Sequence, residues 1–335
     1  MPKVELHVHL EGAIGPSTLL ALADRHGIQL PATTPEGLQE WYTFTGFPHF
    51  VEVYVAISKC IKTADDIELI AREFLAGQAA QGIAYSEVTF TAYTHFVLNH
   101  IPFRDSLAAL NRAAVWAAQA LDTRVGWVID IARETSPEEG LVVADWAIEA
   151  MGAGVVALGL GGYEVGHPPE KHQRAFARAR AAGLPSVPHA GETAGPASIW
   201  GALEALQADR IGHGVRCIED PALVAELRAR QTPLEVCPIS NVCIGVATSL
   251  ADHPLPRLLD EGLYVTLNSD DPPMFNTSLT REYLDAARAF GFTAGDVERL
   301  VLNGVDATLL PEAERSALRA RFETEFSRLR TEHGV

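Results

Sequence analysis

Short runs of β-forming apolar residues recur along the chain with longer stretches of helical period between them, and this alternation restricts the possible architecture more than any other feature. The runs fall at residues 4–9, 84–90, 125–131, 155–160, 184–189, 210–213, 234–236 and 264–268. Helical stretches fall at 65–81, 106–120, 137–151, 169–182, 197–206, 221–230 and 254–261. Pro137, Pro169 and Pro221 stand at the expected helix starts, where a missing amide proton costs nothing. A series of parallel βα units closes into a barrel or lies open as a doubly wound sheet. Eight of them point to an α/β fold of the (β/α)8 TIM-barrel type.

Two segments do not fit a plain βα repeat. Residues 12–61 are too long for a simple connection and are expected to form a helical insert after the first strand, covering the barrel mouth. Its aromatics Phe44, Phe47, Phe50 and Tyr54 suit either a substrate wall or a small core of the insert's own. Residues 293–335 read as one or two charged amphipathic helices closing the fold, so 1–335 is expected to be a single domain.

A net charge of −17 repels phosphate backbones and anionic lipid, so neither nucleic acid nor a membrane surface is an expected partner. No apolar stretch reaches the ~18 residues of a membrane span, and the first residues lack a secretory pattern. The reading is a cytoplasmic enzyme acting on a small molecule. Cys60, Cys217, Cys237 and Cys243 form no CxxC pair and read as buried thiols.

Chemistry concentrates where barrel enzymes place it, at the C-terminal ends of the strands. His7 and His9 end the first; being two apart on extended backbone, they point to one side. His189 ends the fifth strand, His213 the sixth, and Asp270 with Asp271 follow the eighth. Three imidazoles and a carboxylate with room for water are a catalytic rather than a closed structural zinc set. Such an ion lowers the pKa of its water to about 7, which supplies a nucleophile at neutral pH. His26, His49, His100, His172, His253 and His333 lie away from strand ends and read as ordinary core or surface residues, with His95 and His167 in intermediate loops.

Six motifs carry these residues: His-Val-His-Leu-Glu-Gly at 7–12, Gly-Leu-Gly-Gly-Tyr-Glu at 159–164, His-Ala-Gly-Glu at 189–192, Arg-Ile-Gly-His-Gly at 210–214, Cys-Pro-Ile-Ser-Asn at 237–241 and Ser-Asp-Asp-Pro at 269–272. Together they resemble the adenosine deaminase family of the amidohydrolase superfamily over essentially the whole chain. The resemblance implies one zinc ion (Zn2+) per chain on His7, His9, His189 and Asp270. It further implies that Glu192 protonates the purine N1, that His213 orients or deprotonates the zinc-bound water, that Asp271 meets N7 and that the backbone amide of Gly162 meets N3. His9 and Glu11 are expected to approach the substrate as well. Lys3, Lys59, Lys62 and Lys171 all lie away from strand C-termini, so the bridging lysine of binuclear relatives is missing.

The implied reaction replaces the 6-amino group of an adenine-type purine by oxygen. Glu11 stands where adenosine deaminases typically carry aspartate against the 5′-hydroxyl. Residues 164–170 resemble the adenine deaminase branch, which usually has serine at the position of Gly162. A third branch acts on 6-aminodeoxyfutalosine in menaquinone synthesis, and the aromatic insert with Thr91, Tyr93 and His95 is suited to wall its 5′ extension. The expected order is adenosine or a 5′-modified adenosine first, with 6-aminodeoxyfutalosine or adenine as alternatives.

Overall fold

The computed structural model describes residues 1–334; Val335, the end of the expected tail, lies outside the described residues. Eight strands lie parallel and side by side in chain order: β1 Lys3–His9, β2 Ile83–Phe90, β3 Arg124–Ala132, β4 Val155–Gly161, β5 Ser186–Ala190, β6 Ile211–His213, β7 Leu234–Val236 and β8 Val265–Leu267. The ring closes just beyond β8, where the Asp270 amide donates to the His7 carbonyl at 3.1 Å and the His9 amide to the Asp270 carbonyl at 2.9 Å. This is the expected (β/α)8 barrel. β1 and β2 are buried along their whole length, as strands covered on both faces must be.

Helix starts follow their local chemistry. Ser136 caps Pro137–Glu149 reciprocally with Glu139, and the Asp220 carboxylate accepts from the Ala222 amide at the start of Pro221–Arg230. The helix expected over 169–182 is divided: Pro169–His172 is a tight 3-10 turn and Gln173–Ala181 the α-helix. The turn tightens where Lys171 and His172 both reach back to the carbonyl of Arg133, at 2.8 and 3.3 Å. Three further helices lie outside the expected set: Ala92–Asn99, Pro238–Cys243 and Leu279–Phe290.

The insert contains helices Pro16–His26, Pro35–Trp41 and Phe47–Ser58. Its aromatics do both things expected of them. Phe44 and Phe50 pack edge to face at 5.4 Å, and Phe50 stacks on Phe275 at 5.3 Å, while Phe47, Phe50 and Tyr54 also line the cavity above the barrel. The tail forms Ala294–Ala307 and Glu312–His333, and the first of these packs on β1 and β8 through Leu300, Val301 and Val305. Among the described residues no helix is long and apolar enough to cross a membrane.

The barrel interior contains a buried ion network. The Arg210 guanidinium, 2 % exposed, donates to Glu87 and Glu235 at 2.5 Å each and to the Ala307 carbonyl at 2.8 Å. Such a group is tolerable inside only when every donor finds an acceptor.

Candidate active site

Four side chains converge at the C-terminal mouth of the barrel. The ligand atoms of His7, His9, His189 and Asp270 all lie within 4.8 Å of one another. Nε2 of His7 and of His9 each stand 3.4 Å from Asp270 Oδ1, and Nε2 of His9 stands 3.0 Å from Nε2 of His189.

The second nitrogen of two of these rings fixes what the first offers. Nδ1 of His7 lies 2.8 Å from Glu235 Oε2, and Nδ1 of His189 lies 2.8 Å from the Leu160 carbonyl. Both acceptors hold a proton on Nδ1, so Nε2 is the atom each ring can offer to a metal at the common centre. His7 Nε2 is buried and has no hydrogen-bond partner. Three imidazoles and one carboxylate meeting in this way are a donor set that could hold a metal ion with an open position.

The backbone aims these groups. Asp270 and His213 are left-handed non-glycine residues, with φ of 65° and 62°, a conformation that persists only where surrounding structure imposes it. Asp270 is held well below the ordinary carboxylate range: burial opposes this, but the adjacent His7, His213 and His9 imidazoles outweigh it. Asp271 is buried beside it, and burial followed by the Asp270 charge pushes its carboxyl well above the usual range. Gly12 makes room for Asp271, since a Cβ there would lie 1.6 Å from Asp271 Oδ1.

Glu192 sits on the loop after β5, and Glu164 holds that loop. The Glu164 carboxylate accepts from the amides of Gly191, Glu192, Thr193 and Ala194. The Glu192 carboxyl lies 3.3 Å from Nε2 of His213. Burial, then the charges of Asp270 and Glu164, push it well above the ordinary range, which favours its protonated form. Burial pushes the His213 imidazole down to about 3, so that ring is neutral.

Above the cluster opens a cavity of about 560 Å³. His9, His189, His213, Glu192, Asp270 and Asp271 face its inner end, together with Ser240. Gly162, with φ of 92°, lines one side, and Phe47, Tyr54, Val55, Tyr93, Val97 and Leu98 form an apolar outer wall. Among the described residues no lysine or arginine lines it.

Glu11 departs from its expected place. It is fully buried and does not line the cavity; its oxygens accept from Tyr54 Oη at 3.0 Å, the Thr91 amide at 3.0 Å and His95 Nε2 at 2.9 Å. Its contact with the cavity runs through Tyr54, which lines it. His95, stacked on Phe90 at 5.0 Å, and His167 stay outside the metal cluster. Of the remaining histidines, His26 pairs with Asp66, His172 lies on the Arg133 carbonyl, and His253 is buried against Asn241. Glu164 and Asn241 close two of the six motifs without a role of their own in the sequence, and Glu235 and Arg133, whose guanidinium binds the carbonyls of His167 and His189 at 2.7 and 2.5 Å, escape a reading of the sequence. Cys60, Cys217 and Cys237 are buried free thiols as expected, and Cys243 is partly exposed.

Comparison with known proteins agrees with this geometry. Residues 2–325 match the adenosine deaminase family model. The aminodeoxyfutalosine deaminase of Streptomyces coelicolor is 39 % identical over 328 residues, covering 97 % of this chain and 84 % of that protein. The crystal structure of adenine deaminase from Arthrobacter aurescens superposes with a TM-score of 0.93 at 33 % identity, covering 98 % of this chain and 99 % of the other. A zinc-bound amidohydrolase from Burkholderia ambifaria superposes with a TM-score of 0.91 at 28 % identity, over 99 % and 92 % of the two chains. With its barrel, its buried His/Asp cluster and this whole-length match, the chain belongs to the adenosine deaminase family and is a hydrolytic purine deaminase.

Proposed function

We propose that the chain, acting as one unit over 1–335, is a zinc-dependent deaminase of 6-aminopurine nucleosides that converts adenosine or a 5′-modified adenosine to the inosine-type product and ammonia. The observation that carries this reading is the cavity. Its 560 Å³ match a ligand of drug-like size, larger than a bare purine, and the lining beyond the acidic inner end carries Phe47, Tyr54, Tyr93 and Leu98.

His7, His9, His189 and Asp270 would hold the zinc, and the buried, partnerless Nε2 of His7 fits that use. Zinc, when bound, lowers the pKa of water to about 7. The residues around it divide the remaining work. His213, neutral and with Nδ1 against the Asn241 amide nitrogen, turns its Nε2–H to the same gap and orients the attacking water. Attack at C6 turns an aromatic carbon tetrahedral and pushes electron density onto N1, where the protonated Glu192 delivers its proton. A protonated Asp271 donates to N7, and the Gly162 amide meets N3. A C6–O bond forms, the two water protons pass one to the departing amino group and one back to Glu192, the C6–N bond breaks to leave C6=O, and ammonia leaves.

A second reading, 6-aminodeoxyfutalosine, is favoured by the same outer wall and by the name of the Streptomyces relative. Ammonia release from adenosine, 5′-deoxyadenosine, methylthioadenosine, 6-aminodeoxyfutalosine and adenine, on protein of measured metal content, tests the order. Turnover of the nucleosides with about one zinc per chain is expected; turnover of adenine alone overturns it.

A further inference from the structure

Of the cavity carboxylates with no part in the chemistry above, Asp130, Glu134 and Glu139, only Asp130 is buried. Asp130 stands near the end of β3, 3 % exposed, on the cavity lining between Thr91 at the end of β2 and Gly161 at the end of β4. Its Oδ1 has no hydrogen-bond partner. The neighbouring strand is kept bare to admit it: a Cβ on Gly159 would lie 2.9 Å from Asp130 Cβ, and one on Gly161 would lie 2.9 Å from Asp130 Oδ2. A buried carboxylate oxygen left without a donor is costly, and no arginine or lysine lines the cavity to neutralise it.

The order of the strands says which part of a substrate reaches this point, an argument that rests on the nucleoside reading above. Around a purine the ring nitrogens follow in the order N1, N3, N9, N7. Glu192 at N1 follows β5, Gly162 at N3 follows β4, and Asp271 at N7 follows β8. N9 therefore faces the arc of β3, β2 and β1, and the group attached to it emerges over Asp130 and Thr91. We propose that Asp130 is the sugar-binding acceptor of this site, taking hydrogen bonds from the ribose 2′- or 3′-hydroxyl beside Thr91. Ionised, the carboxylate only accepts, and a sugar hydroxyl at this position supplies the donor that Oδ1 lacks. Burial, then the Glu11 charge, raises the Asp130 carboxyl to about 7 against the opposing pull of Thr91, and a donor from the ligand favours the ionised form.

A cycle on both partners tests it: kcat/KM for adenosine, 2′-deoxyadenosine and 3′-deoxyadenosine in the wild type and in the near-isosteric Asp130→Asn, with zinc content and thermal melting as checks of folding. A hydrogen bond to a charged acceptor predicts that removing the bound hydroxyl costs the wild type about 10- to 100-fold, and that this penalty shrinks to within about threefold in Asp130→Asn. If both deoxynucleosides show the same penalty in variant and wild type, the sugar-binding role is overturned while the deaminase reading stands. If the wild type deaminates adenine but no nucleoside, both fall together.

Discussion

Glu235 Oε2 lies 2.8 Å from Nδ1 of His7, while Oε1 of the same carboxylate accepts from the buried Arg210. One carboxylate thus ties the inner ion network to the metal cluster. It fixes the His7 tautomer and makes Nε2 more basic, a support typically worth 10–100-fold in metal affinity. Glu235→Gln should weaken zinc binding by about that factor, measured by competition with a chromophoric chelator. Unchanged affinity would show that His7 is oriented by packing alone.

The pH dependence of metal loading follows from the same pair. Burial lowers the His7 pKa, but Asp270 and Glu235 outweigh it and bring it to about 10 in the metal-free protein. A raised pKa means that His7 still holds its second proton at neutral pH, and zinc must displace it. Zinc affinity should therefore rise with pH up to about 10 and fall towards acid, with proton release measurable by calorimetry in buffers of different ionisation enthalpy.

Glu164 holds four consecutive amides of the loop that carries Glu192. Glu164→Ala leaves these donors without their acceptor, so the loop should lose its set position. We expect kcat to fall by about 10- to 100-fold, on the order of 1–3 kcal/mol, with zinc content unchanged. Steady-state kinetics with metal analysis checks this.

Glu192 must be protonated to serve N1, and its carboxyl is shifted upward by burial and then by Asp270. Activity should therefore persist through neutrality and decline on the alkaline side as this proton is lost. Glu192→Gln should retain zinc and lose about 10²–10⁴ in kcat. Near-normal turnover in that variant would remove Glu192 from the role of acid.

A line of hydrogen bonds reaches His213 from behind. The Leu255 amide donates to Nδ1 of His253 at 3.1 Å, His253 Nε2 lies 3.1 Å from Asn241 Oδ1, and Asn241 Nδ2 lies 3.4 Å from Nδ1 of His213. The backbone amide thus settles the orientation of each group in turn. His253→Ala should lower kcat roughly tenfold by freeing Asn241, with zinc retained. Equal kcat in His253→Ala would confine His253 to packing.

The barrel and the meeting of His7, His9, His189 and Asp270 are legible in the sequence because each element is a local signal. His7 and His9 sit two apart on one extended run, and His189, His213 and Asp270 close others. Glu235 and Arg210 are not legible as a pair, since only the adjacency of β6 and β7 brings them together. Glu11 shows a different limit: its motif marks it for a ligand, yet its side chain folds back onto Tyr54, Thr91 and His95. The helix Leu279–Phe290 does carry local signals, with Ser278 capping the Arg281 amide and Leu279, Tyr283 and Ala286 on one buried face. Short Pro238–Cys243 has too few turns for a period to register.

The backbone of Asp270 joins the last strand to the first, and its side chain contributes to the metal cluster. Topological completion and assembly of the ligand set are thus one event. A nascent chain still short of residue 270 holds only the three imidazoles, so the full coordinating quartet forms after most of the polypeptide has been synthesised. Zinc captured then would act as a latch on the finished ring, favouring closed molecules over every truncated or unclosed one.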